Sequence, residues 1–302
     1  MHRFTLLHGL PVGRQLTLDV APPPAYRLRS VVPPASRPAR RTVPAPAFRL
    51  VNVVPGPQSD AVVWPAWIGL SVSPDDPNRV AVWSAASGDD GALITQTYFS
   101  HDQGAAWSLV SVGKSPPLPD NPDRERMWVD PRRPEVAYRL QVARLAEAMR
   151  TVRVQRSLDG GRTWSPDLRL IPDVLGEALA ISATGQVGLL YQQRIGLPPD
   201  EQVITHLETT DNGFATVRDR VLAATLRPRH GADAPLGSTC DLTGVGRQFL
   251  GVFTAANIPK ATSFPLGVRY QRRADFKHHR LLDHSGSAVA ASVDPFFFVQ
   301  GP

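Results

Sequence analysis

Short apolar runs, each opened by turn residues, recur along most of this chain. Ser73-Pro-Asp-Asp-Pro77 leads into Val80-Ala-Val-Trp83, and Asp130-Pro-Arg-Arg-Pro134 leads into Val136-Ala-Tyr138. Ser182-Ala-Thr-Gly-Gln186 precedes Val187-Gly-Leu-Leu-Tyr191, and Thr243-Gly-Val-Gly246 precedes Phe249-Leu-Gly-Val-Phe253. A last copy is Asp294-Pro295 before Phe296-Phe297-Phe298. Such runs, bounded by Pro, Gly or Asp, read as strand, tight turn, buried strand.

A second pattern falls between these runs. Ser100, Asp102, Gly104 and Trp107 fit Ser-x-Asp-x-Gly-x-x-Trp, as do Ser157, Asp159, Gly161 and Trp164, 57 residues later. Thr209, Asp211 and Gly213 form a weaker third copy without the tryptophan, and Asp275 marks a possible fourth. Each unit then reads as four strands. An inner strand precedes the Asp-Pro turn and a second follows it (80–84, 187–192). A third (151–156) enters the Ser-x-Asp turn and a fourth leaves it. A four-stranded sheet cannot bury both faces alone, and repeats of this length predict an all-β chain folded as a β-propeller of four-stranded antiparallel blades. Residues 142–150 have helix-forming composition; they are expected to be an extended or short helical excursion in a hairpin.

The repeated turn has a local physical purpose. Its serine and aspartate accept hydrogen bonds from backbone N–H groups, its glycine takes a conformation that Cβ resists, and its tryptophan buries a large surface. A catalytic acid is needed once, whereas this aspartate recurs with the unit, so its expected role is structural.

At these residues the sequence resembles the BNR, or Asp-box, repeat family of bacterial sialidase-like proteins. The resemblance runs over about residues 60–302 and includes Leu250–Pro259, Phe264–Phe276 and Asp294–Phe298. It implies six blades, of which the repeats support five to six, with residues 48–54 as an outer strand closing the ring against the C-terminal strand. It also implies glycan as partner, an exported protein, and a site of three arginines, a tyrosine–glutamate pair and an acid aspartate. The family's Phe-Arg-Ile-Pro motif is absent; Arg194-Ile-Gly-Leu-Pro198 is a faint echo. The candidates are therefore polar residues at inner-strand entrances, Asp123, Arg124, Arg126, Glu177 and Asp241, together with Tyr191, which is on a strand near arginine, and Trp64 and Trp67 as aromatic sugar platforms. Two functions stay open: an exo-glycosidase of sialidase type, or a non-catalytic propeller that binds glycan or protein.

Composition narrows the partners. Of 302 residues, 42% are hydrophobic, with 30 prolines and 23 glycines, and the net charge is +6. Residues 1–50 hold eight arginines and one acid, so that segment is +7 and the remainder −1. The body therefore lacks the basic face that nucleic acid would require. Residues 1–47, rich in Pro and Arg, are expected to form a disordered arm preceding a domain at 48–302. The apolar stretch 4–10 is too short for a secretion signal, and no run suits a membrane span. One cysteine, Cys240, rules out an intrachain disulfide and a cysteine-based zinc site. His278-His279 would point to opposite strand faces, and no phosphate loop or dinucleotide fingerprint appears. No metal or cofactor is expected.

Overall fold

In a computed structural model of the protein, the chain divides into two units, Met1–Val43 and Pro44–Pro302. The residues described are 48–55, 67–87, 93–115, 125–146, 149–196, 200–226 and 240–302, all in the second unit. The expected arm and the candidates Trp64, Asp123 and Arg124 lie outside them.

The described residues are almost entirely β. Strand β1 (Phe48–Asn52) comes first. Sheet I holds β2 (Trp67–Val72), β3 (Val80–Ser87), β4 (Leu93–Ser100) and β5 (Ser108–Ser115). Sheet II holds β6 (Glu125–Asp130), β7 (Arg133–Ala146), β8 (Met149–Ser157) and β9 (Arg169–Ile171). Sheet III holds β10 (Val174–Ile181), β11 (Val187–Ile195), β12 (Gln202–Thr210) and β13 (Arg218–Leu226). Each is a four-stranded antiparallel meander, as the repeat predicts. Of the stretch at 142–150, residues 142–146 and 149–150 are extended, because β7 and β8 continue their pairing through Ala146 and Met149.

Sheet IV departs from the meander. Strands β14 (Cys240–Val245) and β15 (Gln248–Ala256) are followed, across the sheet, by β19 (Val293–Gln300), then β1, then the short β16 (Arg269–Tyr270). The earliest described strand thus pairs antiparallel with the last, Phe48 opposite Gln300 and Asn52 opposite Phe296. Residues 293–298 belong to this sheet and do not begin a further unit. Strands β17 (Arg273–Asp275) and β18 (Arg280–Leu282) form a separate hairpin. Asp275 sits there, bonded to His278, so it is not a fourth repeat turn.

Period-two side-chain placement explains how the sheets stack. Phe296 and Phe298 point to sheet III, joining Leu190, Leu207 and Phe249 in one apolar cluster. Phe297 and Val299 point the opposite way, joining Val80, Val82, Tyr98 and Trp107 of sheet I. A third cluster, with Tyr138, Val152, Leu179 and Leu189, fills the space between sheets II and III. The packing order is therefore II, III, IV, I, and the first strands touch in that order, β6, β10, β14, β2. Sheets I and II end the stack; among the described residues no apolar cluster joins them. Four large sheets are described, fewer than the five to six expected, and they do not close on one another. No described helix is long and apolar enough to cross a membrane.

Candidate functional site

The repeated turns occupy one position, between third and fourth strands. In the first, the Ser100 hydroxyl donates to Asp102 Oδ1 (2.8 Å) and accepts from Gly104 N–H (2.8 Å), while Asp102 Oδ1 accepts from Ala105 and Ala106 N–H, each at 2.9 Å. Ser157 and Asp159 repeat this set, with Gly161 N–H to Ser157 Oγ at 2.8 Å and Thr163 N–H to Asp159 Oδ1 at 2.9 Å. The third turn uses Thr210 and Asn212, one residue after the expected Thr209 and Asp211. Phe214 N–H donates to Thr210 Oγ1 (3.0 Å) and Thr216 N–H to Asn212 Oδ1 (2.9 Å). Backbone geometry fixes this register, because each turn has two consecutive left-handed residues: Gln103-Gly104, Gly160-Gly161 and Gly213-Phe214. Phe214 thus stands where the first two turns have glycine.

Polar groups at the inner strands stitch the sheets together. Glu177 on β10 is 1% exposed; its Oε1 accepts from Arg126 Nη2 of β6 (2.8 Å) and its Oε2 from Arg150 Nη2 of β8 (3.0 Å). Arg126 also reaches the Glu177 carbonyl (3.0 Å), and Arg150 the Leu175 carbonyl (2.9 Å). Gln192 Nε2 donates to the Thr254 carbonyl (2.7 Å), joining sheet III to sheet IV. Asp241 Oδ2 accepts from Leu70 N–H (2.8 Å), joining sheet IV to sheet I, while its Oδ1 accepts from Leu242 N–H (2.8 Å).

The structure therefore brings Arg126 and Glu177 together and adds Arg150, which the sequence hid inside a stretch of helix-forming composition. Asp241 is placed apart, in the seam between sheets IV and I. Tyr191, opposite Glu177 in the β10–β11 pairing, donates to Glu208 Oε1 (3.1 Å), and Glu208 also pairs with Arg169. The Tyr191 ring stacks on His206 at 4.9 Å. Tyr191 is only 4% exposed, held in the II–III seam. Burial chiefly, with the Glu208 charge, pushes its phenol well above the ordinary range. Trp67 lies on the outward face of sheet I, opposite Ala85. Among the described residues no cluster of three or more His, Cys, Asp or Glu is placed to hold a metal.

No family model and no curated protein matches the chain. Solved structures do show likeness. One is an α-L-arabinanase of Penicillium chrysogenum complexed with arabinobiose, at 13% identity and TM-score 0.28, covering 76% of this chain and 75% of that one. Another is a GH93 α-L-arabinofuranosidase of Fusarium graminearum, also with arabinobiose, at 13% identity and TM-score 0.27, covering 76% of each chain. The catalytic domain of a Coprinopsis cinerea GH62 α-L-arabinofuranosidase is similar at 9% identity and TM-score 0.26, covering 84% of this chain and 96% of that one.

Proposed function

We propose that the chain is a propeller-type carbohydrate-binding protein that holds glycan at the inner-strand edge of sheets II and III without cleaving it. The observation that carries this is the use made of the carboxylates. A glycosidase needs one carboxyl group to protonate the leaving oxygen and a second to attack or to activate water. Both oxygens of Glu177 are taken by guanidiniums, and both of Asp241 by backbone N–H groups. By contrast, the Arg126 and Arg150 side chains are 31% and 21% exposed. Together they carry one positive charge more than Glu177 neutralises and offer planar N–H donors to sugar oxygens.

A hydrolytic reading of sialidase type draws on the Tyr191–Glu208 pair beside Arg169. Tyr191 and Glu208 are only 4% and 2% exposed, so the pair that would carry the chemistry is covered, whereas the Arg169 side chain is 34% exposed. The test combines calorimetric titration against a glycan panel with fluorogenic sialosides, arabinofuranosides and galactosides. The expected result is saturable binding, weakened in Arg126→Ala and Arg150→Ala, with no turnover. Turnover abolished by Glu177→Gln would replace this reading with the hydrolytic one.

A further inference from the structure

Four glycines are covered by an aromatic ring so closely that a Cβ would overlap it: Gly104 by Phe297, Gly188 by Phe249, Gly251 by Phe298 and Gly69 by Trp83. The first three rings are at most 1% exposed, since a neighbouring sheet closes over them. Trp83 is 39% exposed. Its indole is pressed onto β2 at Gly69, on the face of sheet I turned away from sheet IV.

Strand register defines its surroundings. Gly69, Trp83, Thr97 and Ser111 form one cross-strand row, and Trp67 and Thr95 belong to the next row on the same face. Apart from Trp67, the residues that share these rows with the indole are small or carry hydroxyls, and none is charged. The other free face, on sheet II, is built differently. Met127, Val129 and Leu170 are exposed there among ion-paired Arg139 and Arg153, and Trp164 is already capped by the Arg139 guanidinium at 4.5 Å.

We infer that Trp83 is a stacking platform for a neutral sugar ring, a second contact point distinct from the Arg126–Arg150 edge. The inference rests on the carbohydrate-binding reading above. An open indole presents a flat apolar face that suits the C–H face of a pyranose or furanose, and the flanking hydroxyls suit its rim. The absence of charge in these rows selects a neutral residue over an acidic one. Gly69 is the positioning residue, since only the missing Cβ lets the indole lie down on the strand.

The test is calorimetric titration of the full-length chain with neutral oligosaccharides that bind the wild type. Trp83→Ala is expected to weaken binding roughly tenfold, Trp83→Phe to recover most of the loss, and Gly69→Ala, which lifts the indole while keeping it, to behave like Trp83→Ala. Melting curves confirm the fold, and Trp83→Gln, which keeps bulk without an aromatic face and is expected to weaken binding likewise, serves if the alanine variant does not fold. Wild-type affinity retained in folded Trp83→Ala (or Trp83→Gln in its place) and in Gly69→Ala overturns the platform while leaving the carbohydrate reading standing. Failure of the wild type to bind any glycan overturns the carbohydrate reading and the platform with it. Self-association of the wild type, lost in Trp83→Ala by sedimentation, overturns the platform in favour of a second copy of the chain covering Trp83.

Discussion

The turns at Asp102 and Asp159 are almost superimposable in their own hydrogen bonds and unlike in what surrounds them. The first is seated on sheet IV. Gly104 lies under the Phe297 ring, Trp107 meets that ring edge-on at 5.1 Å, Trp107 N–H donates to Gln271 (2.7 Å) and Gln103 bonds Gln248 (3.0 Å). The Arg49 guanidinium of β1 donates to the Gln103 carbonyl. The second turn has no such seat: nothing lies within 4 Å of a Cβ at Gly160, and Gly161 would meet only Trp164 of its own turn. The motif is therefore a self-sufficient local device, and docking onto a neighbouring sheet is a separate contribution. Equivalent substitutions in the two turns tell the contributions apart.

The largest expected effect is that of Phe297→Ala, which removes the ring supporting Gly104 and Trp107. It should cost about 3–5 kcal/mol, read by chemical denaturation. A smaller loss would mean that the seat matters less than its burial implies. Next comes Gly104→Ala against Gly161→Ala. Both positions have positive φ, +80° and +89°, so each substitution carries about 1 kcal/mol of backbone strain. Only at Gly104 does the new methyl also collide with Phe297, which should add about 1–3 kcal/mol. Equal losses at the two sites would remove the distinction between seated and unseated turns.

Ser100→Ala and Ser157→Ala should then cost about the same, roughly 1–2 kcal/mol each, because both delete the same backbone-capping bonds. A large inequality would show that the turn is not self-sufficient. The smallest effect concerns acid. Burial raises the Asp102 carboxyl, but bonds from Ala106, Ser100 and Ala105 and the Arg49 charge outweigh it and hold it below the ordinary range. Asp159 is lowered chiefly by Thr163 N–H, then by the Ser157 and Thr163 hydroxyls. A folded-state pKa below the unfolded one gives stability that is full above about pH 4 and is lost as pH falls through the lower folded value. Asp102→Asn and Asp159→Asn should flatten that acid limb while keeping the turn, since Asn212 already serves the third turn uncharged. Melting temperatures between about pH 5 and 2 check this; an unchanged acid limb would assign it to other carboxylates.

What could be read from the sequence was what is settled within a few residues. Ser100–Trp107 and Ser157–Trp164 were legible because serine, aspartate and glycine satisfy one short loop. The third turn was misplaced by one residue because Asp211 and Gly213 look like the motif, whereas Asn212 accepts the same bonds and Phe214 tolerates the left-handed backbone while packing against Tyr138 at 6.3 Å. Long-range choices left no local trace. Nothing near Arg150 announces Glu177, 27 residues on, and nothing near Tyr191 announces Arg169. The antiparallel pairing of Phe48–Asn52 with the C-terminal strand was expected, and it completes sheet IV. The parallel pairing of β1 with β16, beyond the edge that was foreseen, was not.

That same pairing of β1 and β19 has a consequence for synthesis. A chain made from its N-terminus keeps the β19-facing edge of Phe48–Asn52 unpaired until the stretch around Phe296–Phe298 arrives, some 240 residues later by the Asn52–Asp294 bond that joins them. Through all of that interval the third, central strand of sheet IV is missing, and the Phe249 and Phe253 rings have no Phe296 or Phe298 to close over them. The stage vulnerable to aggregation is thus the one between synthesis of β15 and synthesis of β19, when these apolar surfaces wait uncovered.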